Sequence, residues 1–288
     1  MVLALLFGLL PLTPAKAKDP LIYVALGDSY TSGPLLLPHD TRWVPQDCGQ
    51  STRNYPHLVN LTLHPDIFRD VSCGSATIND FYGPQTGLPF GDTNAPQLWA
   101  LSSRVGIITV GIGGNDVGFS SDALNCIRTT PEGHGEPNCK DHFVHNGVDS
   151  ISRAIASMRG ELGHALDAIH AKSPHAAVFV ISYPDALPDN GRACWPYVPI
   201  RPTDMAYLVQ KFKEMNRAEQ TAAEKHDATY VDIYTPSIGH DACKPPGLAW
   251  VNGAVLVPPS YPAHPNDLSF LHSAPVVANA IRHRLGLG

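Results

Sequence analysis

The chain predicts a single α/β domain of three layers, with a central, mostly parallel sheet between two layers of helices. Two observations carry that expectation. Short, continuously apolar runs alternate with longer stretches whose apolar residues are spaced by three and four, and no internal repeat or long linker divides the chain. Such alternation is the sequence form of strand–helix–strand units closing into a parallel sheet.

Leu21–Leu26 (LIYVAL) is the first predicted strand and stops at Gly27. Val105–Val110 (VGIITV) stops at Gly111, Ala177–Ser182 (AVFVIS) is ended by Pro184, and Thr229–Ile233 (TYVDI) is the last. A further short strand is expected over Asp70–Cys73. Continuous apolar runs suit central strands, because a strand covered on both faces has no polar side. Three helices are expected. Residues 148–170 carry one apolar stripe (Ile151, Ile155, Met158, Leu162, Leu166), with His170 and Lys172 at the end and Pro174 beyond. That is the charge and proline pattern of a helix C-terminus. Residues 204–225 place Met205, Leu208, Phe212 and Met215 on one face, and 274–285 form a terminal helix through Val277, Ile281 and Leu285. The stretches 34–55, 83–97, 120–146 and 185–203 read as long loops. In doubly wound sheets such loops gather beyond the carboxyl ends of the strands, where ligands bind.

Composition narrows the class. Of 288 residues, 43% are hydrophobic and 16% charged, against about 25% charged in a typical soluble domain. That excludes a disordered polyelectrolyte and a coiled coil. The net charge of −6 and pI near 6.1 argue against a nucleic-acid partner, which calls for a basic patch. Gly (24) and Pro (27) are abundant and predict much ordered loop. Val2–Pro11 is an apolar run too short to span a bilayer, and Ala15-Lys16-Ala17 offers an A-x-A cleavage site. Residues 1–17 are therefore read as a secretion signal and 18–288 as the mature domain, although no Lys or Arg follows Met1 directly. No later segment reads as a membrane span.

Six cysteines in an exported chain point to disulfides. None forms a C-x-x-C pair, so a zinc site is not expected. Six cysteines allow about 15 pairings. Spacing favours sequence neighbours, Cys48–Cys73, Cys126–Cys139 and Cys194–Cys243, each bracketing a Gly-, Pro- or Asn-rich loop.

Four short segments carry chemistry. Gly27-Asp28-Ser29-Tyr30 follows the first strand, where a glycine turn can expose a hydroxyl. Gly74 lies in Ser72-Cys73-Gly74-Ser75-Ala76 and offers an unobstructed backbone N–H. Gly113-Gly114-Asn115-Asp116 follows the strand ending at Val110, and the Asn115 amide can donate to a developing oxyanion. His264-Pro265-Asn266-Asp267 precedes the last helix. Each alone is ordinary turn chemistry. Together and in this order they resemble the SGNH hydrolases, also called the GDSL lipase/esterase family, over residues 22–285. With Gly-Asp-Ser-Tyr, six cysteines and Pro-rich loops, the sequence is most similar to secreted actinobacterial lipases and esterases of that family.

The resemblance implies an SGNH, flavodoxin-like fold with disulfide-stapled loops. It implies that Ser29 is the nucleophile and His264 the general base. The oxyanion hole is then the N–H groups of Ser29 and Gly74 with the Asn115 side chain, and no metal or cofactor is needed. Many members carry an Asp three residues before the His; here that position is Tyr261. Some relatives use a main-chain carbonyl instead, so the Tyr261 carbonyl is expected to accept the His264 Nδ1–H, with Asp267 as the rival orienter. Asp28 and Asp116 are read as hydrogen-bonding nearby backbone N–H groups. Leu35-Leu36-Leu37 reads equally as acyl-groove lining or core. The expected function is a secreted, monomeric serine carboxylic-ester hydrolase acting on lipid or short-chain acyl esters. A carbohydrate O-acetyl esterase and a non-catalytic envelope-binding protein are the alternatives.

Overall fold

A computed structural model of the chain describes residues 19–127, 137–254 and 260–286. The expected signal segment, residues 1–17, lies outside the described residues. Five strands form one wholly parallel sheet: β1 (Ile22–Gly27), β2 (Ile67–Asp70), β3 (Ile107–Gly111), β4 (Ala177–Ile181) and β5 (Thr229–Val231). Their spatial order is β2-β1-β3-β4-β5, the flavodoxin-like arrangement. The chain leaves β1 toward β2 on one side and returns to β3 on the other. A crevice therefore opens at the carboxyl ends of β1 and β3, the usual ligand position in such sheets.

Four strands fall where the apolar runs placed them, within two residues at each end. β2 does not: it occupies Ile67–Asp70 rather than Asp70–Cys73. Residues 71–73 continue alongside β1, with the Val71 and Cys73 N–H groups donating to the Ala25 and Gly27 carbonyls (2.9 and 3.0 Å).

Side chains alternate across the sheet, because successive residues of a strand point to opposite faces. Val24, Leu26, Ile108 and Val110 pack on one face against α6 (Ser150–Lys172) and α7 (Pro202–Lys225). Tyr23, Ala25, Ile107 and Phe179 pack on the other against α2 (Tyr55–Leu63) and α8 (Asp267–Leu285). Both faces are covered, which is why the strand sequences read as unbroken apolar runs. Leu26 and Ile108 have no exposed surface, and full burial of such a side chain contributes roughly 1.5–3 kcal/mol.

Besides short 3₁₀ turns, the described residues form four further, short α-helices: α1 (Ser29–Ser32), α3 (Gly114–Val117), α4 (Phe119–Asn125) and α5 (Cys139–Phe143). The last two, and a small hairpin pairing Val144–His145 with Val148–Asp149, occupy most of the described part of the stretch expected as a loop over 120–146. α8 begins at Asp267, seven residues before the predicted 274. Asn266 caps it by accepting the Leu268 and Ser269 N–H groups (3.0 and 3.4 Å). Its first turns bury Ser269, Phe270 and Ser273, and Pro275 lies inside it, so the apolar periodicity starts late. α2 is likewise capped by Asn54, which accepts the His57 N–H at 3.1 Å. Among the described residues no helix is long and apolar enough to cross a membrane.

The three expected disulfides are all present, closing separations of 25, 13 and 49 residues. Each stabilises by roughly 3–4 kcal/mol in the chain-entropy account.

Glu219 of α7 is fully buried, and neither carboxyl oxygen has a hydrogen-bond partner among the described residues. Burial pushes its pKa well above the ordinary carboxylate range, and the charge of Asp28 pushes the same way. A raised carboxyl leaves the unfolded chain free to ionise first. Its cost is absent below the unfolded pKa and grows as the pH rises toward the folded one. Glu219→Met is therefore expected to raise the melting temperature, by about 2–4 °C at pH 8 and by less at pH 4. Melting curves at the two pH values check this.

Candidate active site

Gly27 and Gly111 sit side by side at the ends of β1 and β3. A Cβ on Gly27 would lie 2.3 Å from Thr31 Oγ1 and 2.6 Å from the Gly111 carbonyl. Only glycine lets Thr31 and the end of β3 approach this closely. The Asp28 N–H then donates to the Gly111 carbonyl (3.0 Å), and Asp28 Oδ1 accepts the Tyr30 N–H (2.8 Å), capping α1. Ser29 is left as the first residue of α1.

The His264 loop is fastened from three sides. The Ala263 N–H donates to the Gly253 carbonyl (3.1 Å), the Asn252 N–H donates to the His264 carbonyl (2.9 Å), and the Tyr30 hydroxyl donates to the Ala263 carbonyl (2.5 Å). The imidazole meets Ser29, with Nε2 2.8 Å from Oγ. Nδ1 lies 2.8 Å from the carbonyl of Pro262. A carbonyl can only accept, so Nδ1 carries the proton and Nε2 presents its lone pair to the hydroxyl. This corrects the expected Tyr261 carbonyl, which instead accepts the backbone N–H of His264 at 3.3 Å. The rival Asp267 is engaged elsewhere, accepting from Arg53 at 2.5 Å. Burial lowers the His264 pKa, with the Pro262 carbonyl working in the opposite direction.

Gly74 also needs correction. Its N–H is spent on the Cys48 carbonyl (2.9 Å), and its own carbonyl accepts from Gln85 (2.8 Å). The next residue, Ser75, has φ +62°, and its N–H has no partner among the described residues. Asn115, in α3, donates from Nδ2 to the Ala76 carbonyl (2.9 Å), and its second amide hydrogen remains. Ser29, Asn115, Asp28 and Tyr183 line a cavity of about 30 Å³, room for one water-sized group. Asp116 Oδ1 accepts the Ile78 N–H (2.9 Å), so Asp28 and Asp116 both hold backbone, as expected. Burial raises Asp28 to about 7 and Asp116 to about 6.

A larger cavity, about 390 Å³, opens beside His264. Phe119, Ile127, Val198, Ile200 and Phe212 form much of its apolar wall. The Leu35–Leu37 stretch takes no part: Leu36 is buried in the core, whereas Leu35 and Leu37 are exposed.

The model of the GDSL-like lipase/acylhydrolase family matches residues 25–268. This chain belongs to that family. It is a carboxylic-ester hydrolase by that membership. It is 37% identical to Lipase 2 of Streptomyces coelicolor over 260 residues, covering 88% of this chain and 84% of the relative. It is 28% identical to an esterase of Streptomyces scabiei, covering 94% and 88%. Its fold is similar to a phospholipase A1 of Streptomyces albidoflavus NA297, with TM-score 0.72, 26% identity, and coverage of 90% of this chain and 99% of that one.

Sequence reasoning missed two tyrosines of this GDSL-family site. Tyr30 packs on His264 and Tyr183 (ring centroids 5.1 and 4.9 Å apart) while its hydroxyl grips the His264 loop. The Tyr183 hydroxyl donates to Asp28 Oδ2 and accepts the Gly114 N–H (2.8 Å), tying the Ser29 turn to the Asn115 turn. The available signals were position alone: Tyr30 follows Ser29, and Tyr183 stands two residues beyond β4.

Proposed function

We propose that this chain is a secreted, monomeric serine ester hydrolase that cleaves lipid esters through an acyl-enzyme, with residues 1–17 removed on export. The single observation that carries the chemistry is the 2.8 Å contact between Ser29 Oγ and His264 Nε2. Ser29 Oγ attacks the acyl carbonyl as its proton passes to Nε2. The Pro262 carbonyl holds the tautomer this needs. The developing oxyanion takes hydrogen bonds from the N–H groups of Ser29 and Ser75 and from Asn115 Nδ2. The imidazolium returns its proton to the leaving alcohol oxygen as the C–O bond breaks. Water, activated by the same His264, then adds to the acyl-enzyme and releases the acid.

The 390 Å³ apolar cavity supports a medium- or long-chain acyl group over acetyl. It falls within the usual range for ligand pockets, and each buried methylene contributes about 0.8 kcal/mol. Three disulfides suit an oxidising, extracellular setting. A fluorophosphonate probe is expected to label Ser29 in the wild type and nothing in Ser29→Ala. Across p-nitrophenyl esters from acetyl to palmitoyl, kcat/KM is expected to peak beyond acetyl. An unlabelled, silent protein would return the reading to an envelope-binding role. Cleavage confined to acetyl, with activity on acetylated polysaccharide, would make it a deacetylase.

A further inference from the structure

The disulfides divide the site into two mechanical units. The first, Cys48–Cys73, stands under the chemistry: the Cys48 carbonyl holds the Gly74 N–H, and the Cys73 N–H reaches Gly27 at the end of β1. The other two stand under the cavity. Cys126 directly precedes Ile127, a wall residue that bridges to Ile200 across an antiparallel contact. Its partner Cys139 opens α5, and the Cys139 N–H donates to Asp204 Oδ1 (2.7 Å). Asp204 also holds Arg201 (2.9 Å), which follows Ile200 and donates to the Pro137 carbonyl (2.6 Å). Cys194 bridges to Val198, a second wall residue, and its partner Cys243 follows Ala242, a third. These contacts run through loops, α5 and the first turn of α7, and among the described residues no strand of the central sheet pairs with them.

We propose that acyl-length selectivity resides in this disulfide-fastened wall, over Phe119–Ile127 and Val198–Ile200, and is separable from ester cleavage. The proposal rests on the hydrolase reading above. A loop freed from its disulfide samples many conformations. The wall then no longer presents one apolar surface to a long chain. An acetyl group fits the small cavity at Ser29, which Ile127, Val198 and Ile200 do not line, so its cleavage rests on Ser29, His264 and the oxyanion donors.

The test compares kcat/KM for p-nitrophenyl decanoate and acetate in the full chain. In Cys126→Ala/Cys139→Ala and in Cys194→Ala/Cys243→Ala, the decanoate-to-acetate ratio is expected to fall at least tenfold, with acetate turnover within threefold of wild type. In Cys48→Ala/Cys73→Ala both esters are expected to fall together, leaving the ratio intact. Ala123→Trp, which fills the cavity from α4 without touching a cysteine, is expected to lower the ratio at least tenfold even if a cysteine pair fails to fold. A wild-type ratio in the wall variants or in Ala123→Trp overturns the proposal, as does acetate falling in step with decanoate in the wall variants. Wild type that cleaves neither ester would overturn the hydrolase reading itself. Wild type that cleaves both, with variants that keep the ratio, would overturn only this inference.

Discussion

His264→Ala is expected to lower kcat for ester cleavage by at least about 10⁴-fold, while Asp267→Asn stays within about threefold of wild type. The first loss follows from geometry. Without the Nε2 lone pair 2.8 Å from Ser29 Oγ, the hydroxyl has no base, and the alcohol leaving group has no acid. The second expectation follows from where Asp267 points. Its carboxylate is held by Arg53 and makes no hydrogen bond to the imidazole, whose Nδ1–H is taken by the Pro262 carbonyl. The pH profile reads the same arrangement. In the proposed mechanism His264 works only as the neutral imidazole, and burial lowers its pKa below the ordinary 6.5. Activity should therefore hold level above pH 6.5 and decline as the pH falls below it. A carboxylate partner would favour the imidazolium and move that limb upward. An acid limb above pH 7, or a thousandfold loss in Asp267→Asn, would contradict orientation by the carbonyl.

The second large effect is at Asn115. Asn115→Ala is expected to reduce kcat about 10²- to 10³-fold with KM little changed, because the donor acts on charge that appears only in the transition state. Asn115 also holds the Ala76 carbonyl (2.9 Å), so KM is read beside kcat to separate a lost donor from a moved 74–76 turn. A KM that rises in proportion would mark such a displacement. Ser75→Gly separates backbone from side chain: it keeps the N–H and suits φ +62°. Its kcat is expected within threefold of wild type. A tenfold drop would mean that the hydroxyl, rather than the N–H, takes part.

These two sites mark where sequence reading stops. The meeting of Ser29, Asn115 and His264 was legible because the proposed nucleophile, amide donor and base are side-chain identities, placed beside glycine turns at strand exits or before a helix. The Pro262 carbonyl was not legible, since every residue has a carbonyl and only the turn at Ala263 (φ +55°) selects which one faces Nδ1. Ser75 was hidden for the same reason. Whether an N–H is free depends on what else accepts it, and the acceptor that occupies Gly74 is the carbonyl of Cys48. The tyrosine anchors follow suit: Tyr30 and Ala263 are 233 positions apart in the chain.

The fold divides along the same line. Local patterning located four of five strands and the long helices α6 and α7, because burial on one stripe or on both faces writes a period into the residues. It misplaced β2 and the start of α8, where a short edge strand, small buried residues and an internal proline blur that period. The sequence alone determined which side-chain chemistry was present, in what order, and on which kind of element. Tertiary structure decided which main-chain groups remain unpaired, which carbonyl meets the imidazole and how much room lies beside His264. Those depend on segments far apart in the chain competing for the same hydrogen bonds and the same volume, a competition settled only once they meet.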